Sequence, residues 1–583
     1  MARQLEYFPN LVSMFLTRAG EQGEKPFLWA KKNGAWRSIS WQDAARQVAA
    51  LAESLKKLGL EPGDRVMLVS ENRPEWLIAD LGIMAAGCVT VPTYTTNTTR
   101  DHQHILGNSG ARAVIVSNQK LARTLIPAVL FSSDCHHIIG IEDIRTGQAI
   151  EGATFHHWDE MVAADGDPDA IRQRMAGVGR DDLACIIYTS GTGGAPRGVM
   201  QHHGSILANI AGAADVISED FGWDDEVFLS FLPASHAYEH SGGQMFPIGL
   251  GAQIYYAESL EKLAANIEEV RPTIMVVVPR LFEMLRARIL KTLEKSGAFS
   301  NYLLRRALKI GADKYDGRLK PWDLPMDGIL ALTFRKKIKA KFGGRMKAMV
   351  SGGAPLNPEV GLFFQSIGLP MLQGYGQTEA GPVISCNRPK AGIRMDTVGP
   401  PVKDCEVRIA EDGEIMVRGE LVMHGYWRNP EETARVLKDG WLATGDVGHC
   451  DDKGRIVITD RKKDLIVNDK GDNVSPQRVE GMLTLQPEIA QAMVYGDRKP
   501  HLVALLVPDP EIEKSADLQQ RLSKAVDRVN ADLSVIEKVR RFILAEEAFT
   551  VENEQMTPSL KIRRHVLKQV YGERLEALYK KQA

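Results

Sequence analysis

The sequence predicts an α/β fold: a large N-terminal unit of parallel-rich sheets covered by helices and carrying a β-rich subdomain, followed by a small α+β unit. Three observations predict it. Short apolar runs such as RVMLVS, ARAVIVS and TIMVVV alternate with longer helix-like stretches, each bounded by Gly, Pro or Asn, as expected for strands buried on both faces between crossover helices. After about Gly399 the texture changes to short alternating strands and tight turns. The 583 residues also exceed what one compact core accommodates, so more than one folding unit is expected.

Taken in order, SWQDAARQVAALAESLKKLGL from Ser40 reads as an amphipathic helix, and RVMLVS, ARAVIVS, TIMVVV and MKAMVSGG read as strands. Residues 279–346 form a basic insertion with helical segments at 303–309 and 334–342. From about 399 to 460 the pattern is β-rich, with Asp412-Gly413 and Lys453-Gly454 as hairpin turns. The charged tetrapeptide from Asp460 to Lys463 marks the main boundary, giving an N-terminal domain at 1–460 and a C-terminal domain at 461–583. In the latter, strands such as HLVALLVPD alternate with polar helices.

A formal net charge of -2, with 25% charged and 44% hydrophobic residues, describes an ordinary globular protein and argues against disorder or nucleic-acid binding. Six scattered cysteines, with no CxxC pair, support neither a metal cluster nor a disulfide framework and fit a reducing cytoplasm. No run of about 18 uncharged apolar residues indicates a membrane span.

The most informative stretch is IIYTSGTGGAPRGVMQHH at 186–203. An apolar strand ending runs into a loop of Gly, Ser and Thr closed by Arg197. Such a loop can wrap phosphates: glycines let backbone N–H groups approach an anion, hydroxyls of Thr189, Ser190 and Thr192 add donors, and Arg197 supplies charge. A flexible surface turn is the alternative. Gly193 is followed at Gly198 by Val199 rather than Lys, so there is no Walker A sequence, and no GxGxxG fits.

Further blocks follow in fixed order: LPASHAYEH at 232–240, SGGAP at 351–355 with QGYGQTE at 373–379, WLATGD at 441–446, and DRKKDLIV at 460–467 with MTPSLKIRR at 556–564. With YTSGTGGAPRGV they resemble the acyl-adenylate-forming superfamily of acyl-CoA synthetases, luciferases and peptide-synthetase adenylation domains, over about residues 20 to 570. The resemblance implies attack of a substrate carboxylate on the α-phosphate of ATP, then transfer of the acyl group to coenzyme A. It implies Lys561 as the lysine bridging carboxylate and α-phosphate, and Glu379 and Thr192 as holders of Mg2+. Thr189, Ser190, Gly191, Thr192, Gly193, Gly194 and Arg197 would cradle the phosphates. Gly353, Ala354, Gln373, Gly374, Tyr375, Gly376 and Thr378 would line the nucleotide site, with the Tyr375 ring stacked on adenine. Asp446 would take both ribose hydroxyls, joined by Arg461. Lys463 falls where the superfamily has its hinge, making the C-terminal domain mobile, and His236 would form part of the acyl-site wall. Ser241-Gly242-Gly243 offers small side chains beside an acyl channel or for tight helix packing.

Two departures concern the loop: Gly193 stands where a second Thr is usual, and Arg197 where Lys is usual. At Val467 some relatives carry an assisting Lys. Within the superfamily, PTYTTN near Pro92, VPRLFE near Val278, the basic insertion and FRKKIKAKFGGRMKAMVSGGAPL look most like long-chain fatty acyl-CoA synthetases. An aryl or other non-fatty acid, and a carrier-protein thiol in place of coenzyme A, remain alternatives. The expected partners are therefore small molecules, a fatty acid and coenzyme A, with no stable protein partner. The basic insertion could meet anionic lipid at the inner membrane face, the phosphates of coenzyme A, or only solvent.

Overall fold

The computed structural model describes residues 3–145, 152–163, 166–189, 196–295, 297–557 and 561–580. Two eight-stranded sheets dominate. In the first, Ala348–Ser351 lies between Met371–Gly376 and Ile274–Val277, and the order continues through Val227–Ser230, Gln253–Tyr256 and Pro26–Lys32; these six strands run parallel. Antiparallel edge strands, Val383–Cys386 and Ala35–Ser40, close its two ends. In the second, Leu183–Thr189, Val89–Thr93, Arg65–Val69, Ala113–Val116, His137–Gly140 and Thr154–His157 are parallel. Arg197–His202 and Gly425–Tyr426 add antiparallel to its first edge.

The sequence explains this architecture locally. IMVV and AVIV are buried along their whole length, as central parallel strands require. The helix Trp41–Lys57 starts where the Ser40 hydroxyl accepts from Asp43 N, with Asp43 in its first turn and Lys56 and Lys57 in its last, each complementing the helix dipole. Helix Pro74–Ala85 has no polar stripe and is buried at nearly every position. The largest apolar cluster draws on both sheets and on these helices, with Trp41 and Trp76 fully enclosed, so the two sheets share one core.

A five-stranded antiparallel sheet follows: Glu406–Ile409, Glu414–Arg418, Trp441–Cys450, Leu437–Lys438 and Ile456–Arg461. Both expected hairpins are present, with Ile409 opposite Ile415 across Asp412-Gly413 and Cys450 opposite Ile456 across Lys453-Gly454. Beyond it, Ile489–Tyr495, Leu502–Pro508 and Val539–Leu544 form a mixed sheet with helices Pro476–Thr484, Leu518–Asp532 and Arg564–Ala577, around apolar clusters of their own. Residues 279–341 carry helices Pro279–Lys295, Ala298–Tyr315, Leu324–Leu332 and Phe334–Lys341. All six cysteines are free; four are buried, Cys405 is half-buried, and Cys450 is exposed. Among the described residues no helix is long and apolar enough to cross a membrane.

Candidate active site

The site lies beyond the C-terminal ends of the parallel strands, where open α/β sheets leave a crevice. Ala348–Ser351 and Met371–Gly376 pair in parallel with Ser351 opposite Gln373, so SGGAP and QGYGQTE emerge side by side. Gly353 adopts φ +82°, which favours glycine, and the space beside its Cα is open. Ala354 is exposed next to it. At Gly376 a Cβ would come within 1.9 Å of the Pro382 carbonyl oxygen, so only glycine lets the following turn fold back. That turn, Thr378–Ala380, carries Glu379 and is held by Gln201 Nε2 donating to the Thr378 carbonyl at 2.7 Å. Ser351 Oγ, Gln373 Oε1 and Gln377 Nε2 are buried with no protein partner among the described residues, leaving polar capacity along this wall.

Asp446 is nearly buried and joins two elements. Its Oδ2 accepts from the Tyr375 hydroxyl at 2.7 Å and its Oδ1 from Arg461 Nε at 3.0 Å. Arg461 reaches it because the two residues face each other across the antiparallel pair of Trp441–Cys450 and Ile456–Arg461. This modifies the expectation for Tyr375: the ring is 7% exposed, and its hydroxyl fixes the Asp446 carboxylate. Each oxygen of Asp446 retains a second lone pair for a ligand hydroxyl.

The Glu379 Oε1 accepts from the Tyr426 hydroxyl at 2.9 Å. Tyr426 also lies under the Arg197 guanidinium, 5.1 Å from its ring centroid, and Arg197 is ion-paired with Glu432. Arg197 therefore shares its charge with Glu432 in this structure. Pairing of Arg197–His202 with Gly425–Tyr426 brings Glu432 across. Thr189 ends the strand leading into the loop, whereas Ser190, Gly191, Thr192, Gly193 and Gly194 lie outside the described residues.

Lys561 comes from the C-terminal unit. Its backbone is clamped to Thr557, the Lys561 carbonyl accepting from Thr557 N at 2.8 Å and Lys561 N donating to Thr557 Oγ1 at 3.0 Å. The ammonium sits in the electrostatic range of Arg461, Asp446, Glu379 and His236. Crowding by protein, although the residue as a whole is exposed, together with repulsion from Arg461, pushes its pKa down to about 8; Asp446 and Glu379 pull the other way. Close by, Arg564 forks onto the buried Glu480 carboxylate and anchors this segment to helix Pro476–Thr484. Lys463 is exposed in the turn after Arg461, whose carbonyl accepts from Asp464 N and Leu465 N.

His236 is half-buried at the start of the helical turn Ala237–Glu239, where its Nδ1 accepts from Tyr238 N at 3.1 Å. Burial and the nearby Lys561 push its pKa down to about 4, leaving a neutral imidazole with its proton on Nε2. A π-helical turn, His240–Met245, follows. Its small residues serve tight packing: a Cβ at Gly243 would lie 2.2 Å from Glu239 Oε1 and one at Gly242 would lie 3.2 Å from Val276. Below it, His240 Nε2 meets Asp80 Oδ2 at 2.9 Å, both fully buried, and burial pushes the Glu239 carboxyl up to about 8. Tyr426, Glu432, Asp80 and Glu239 went unnoticed in the sequence, since their partners lie between 9 and 235 positions away.

Fold and site together define an α/β nucleotide-binding enzyme with a lysine supplied by its small C-terminal unit. The chain belongs to the AMP-binding enzyme family: the family model matches residues 15–427, and the model of the AMP-binding enzyme C-terminal domain matches 463–583. It is 32% identical over 582 residues to the long-chain-fatty-acid–CoA ligase FadD15 of Mycobacterium tuberculosis, covering 94% of each chain. It is 30% identical to the peroxisomal long chain acyl-CoA synthetase 7 of Arabidopsis thaliana, covering 94% of this chain and 82% of that one. Among solved structures, the A domain of the carboxylic acid reductase from Segniliparus rugosus, in complex with AMP and a co-purified carboxylic acid, superposes with a TM-score of 0.78 at 22% identity, covering 99% and 95%. That likeness concerns the fold.

Proposed function

We propose that this protein is an AMP-forming long-chain fatty acid:CoA ligase, with residues 1–460 binding the nucleotide and residues 461–583 acting as a mobile domain. The observation that carries the reading is the convergence of Lys561 on Asp446, Glu379 and Arg461 from more than 90 residues away in sequence. Relatives with about 30% identity over almost the whole chain, named for long-chain acids, support the substrate class.

In the first half-reaction a carboxylate oxygen of the acid attacks the α-phosphorus of ATP, and the bond to the β-phosphate oxygen breaks, releasing pyrophosphate. Two anionic reactants, the carboxylate and the triphosphate, are brought together, so cations must be fixed in advance. Lys561 would bridge the carboxylate and the α-phosphate with its ammonium, and Arg461 would add charge beside the ribose. Asp446, oriented by Tyr375 and Arg461, holds the ribose hydroxyls, while Gly353, Ala354, Gln373, Gly374 and Gly376 line the adenine. Glu379, with Thr192 and the loop from Thr189 to Gly194, offers the hard oxygen donors that suit Mg2+; the ion would neutralise charge on the phosphates. Tyr426 orients the Glu379 carboxylate. In the second half-reaction the coenzyme A sulfur, having lost its proton, attacks the acyl carbon and AMP leaves. Rotation about Lys463 would withdraw Lys561 for that step. His236, a neutral imidazole, would form part of the acyl-site wall.

The test is a product assay with ATP, Mg2+, coenzyme A and acids from acetate to oleate, plus benzoate. AMP and thioester formed together, with a long-chain optimum, are expected. Pyrophosphate exchange without thioester would instead point to a carrier-protein acceptor, and an optimum at benzoate would overturn the fatty-acid assignment.

A further inference from the structure

Residues 298–345 hold twelve Lys and Arg against four Asp and no Glu, a formal surplus of eight positive charges in a chain whose total is -2. Three of the four acids are already paired within the segment, Asp316 with Arg318, Asp323 with Arg306 and Asp327 with Arg335. Lys336, Lys337, Lys339 and Lys341 have no carboxylate partner among the described residues. Six of the fifteen large apolar side chains exposed among the described residues also fall here, in a segment under a tenth of the chain.

Helix Leu324–Leu332 concentrates both features. At 100° per residue, Leu324, Pro325, Gly328, Ile329, Ala331 and Leu332 share an arc of about 160°. Every one of them is exposed, and none is polar. Leu324, Ile329 and Leu332 are 56%, 52% and 76% exposed, whereas Leu330 on the opposite side is fully buried. The polar residue of the helix, Asp327, turns inward to Arg335, whose Nε donates to the Ser366 carbonyl at 2.8 Å. A surface helix ordinarily shows the reverse pattern, with its apolar stripe toward the core. Trp322, 71% exposed just before the helix, carries Lys320 over its ring at 5.3 Å, and the four lysines of Phe334–Lys341 follow directly after it.

We propose that this face docks onto an anionic lipid bilayer. Leu324, Ile329, Leu332 and Trp322 enter the interface, and the surrounding lysines meet the headgroups. The lysine excess selects this occupant over a second copy of the chain: like-charged faces would repel, whereas an anionic surface is complementary. The inference rests on the long-chain reading of the substrate, because such an acid partitions into membranes and a docked enzyme would collect it there.

The experiment is co-sedimentation of the full chain with phosphatidylcholine vesicles, with and without phosphatidylglycerol. Turnover of decanoate, which dissolves without a bilayer, is measured on the same samples. Wild type is expected to pellet with the anionic vesicles and to be released by salt. The triple variant Leu324→Ser, Ile329→Ser, Leu332→Ser and the quadruple variant of Lys336, Lys337, Lys339 and Lys341 to Glu are each expected to lose binding by on the order of tenfold while keeping decanoate turnover. Should the triple variant fold poorly, the quadruple variant, altered only at exposed lysines, decides alone. Equal pelleting by wild type and the quadruple variant, or none by wild type, overturns the proposal. So does a wild-type dimer that the triple variant dissolves, since the face would then be covered by a second copy. Vesicle binding without turnover of any acid sinks the ligase reading and leaves the docking face standing.

Discussion

At the scale of single residues, Lys561 carries the sharpest expectations. Its ammonium is present below its pKa of about 8 and lost above it, because crowding and Arg461 pull that value down from the ordinary lysine range. The free-enzyme kcat/KM for ATP should therefore fall through a single proton loss as pH rises past about 8. In kcat the same limb should move alkaline, since bound phosphates stabilise the cation. A pH–rate profile of Lys561→Arg, which keeps its charge, should lack the limb altogether. Lys561→Ala should cost about 10²–10³ in acid-dependent pyrophosphate exchange; retention of wild-type exchange would remove the lysine from the chemistry. His236, with its pKa pushed down to about 4, stays neutral across this range and adds no limb of its own above pH 5.

At the scale of elements, the turn Thr378–Ala380 depends on Gly376, whose missing Cβ leaves room for the Pro382 carbonyl. Gly376→Ala must push that backbone away and carry Glu379 with it. Pyrophosphate exchange should fall by at least about tenfold while circular dichroism still reports a folded protein, because misplacing a site group by about 1 Å is expensive. Tyr426→Phe should raise the Mg2+ concentration needed for half-maximal exchange, since Glu379 loses its orienting hydroxyl; an unchanged Mg2+ titration would show that the hydroxyl is dispensable. Elements of this kind show how far the sequence could be read. Strands such as Ile274–Val277, the capped helix Trp41–Lys57 and both hairpins were legible because their causes are local: apolar runs, a Ser cap, Asp-Gly and Lys-Gly turns. The partners of Arg197 and Glu379 were not, since Glu432 and Tyr426 meet them only through the antiparallel edge of the second sheet. Nor could spacing reveal that helix Leu324–Leu332 turns its apolar side outward, which depends on what packs beneath it.

At the scale of the whole molecule, Lys561 and Asp446 meet across the turn containing Lys463, so one site depends on two units being correctly apposed. Proline at 463 would stiffen that turn and restrict Lys462 before it. Lys463→Pro should leave pyrophosphate exchange within about threefold of wild type and slow thioester formation by on the order of tenfold, as expected when rotation gates the second step. Equal rates in both half-reactions would rule out the hinge. The cysteine distribution makes such motion accessible to spectroscopy. Cys450 ends the strand that bears Asp446, one hairpin away from Arg461, and it is the one exposed thiol among six. Burial raises the pKa of Cys88, Cys135, Cys185, Cys386 and Cys405 and silences them toward alkylation, while Cys450 is raised more mildly by partial burial and Asp451. A maleimide dye added at mildly alkaline pH should thus attach at one position, at the far end of the strand pair that leads to Arg461 and the pivot, without any background mutation, ready to pair with a second fluorophore on the C-terminal unit.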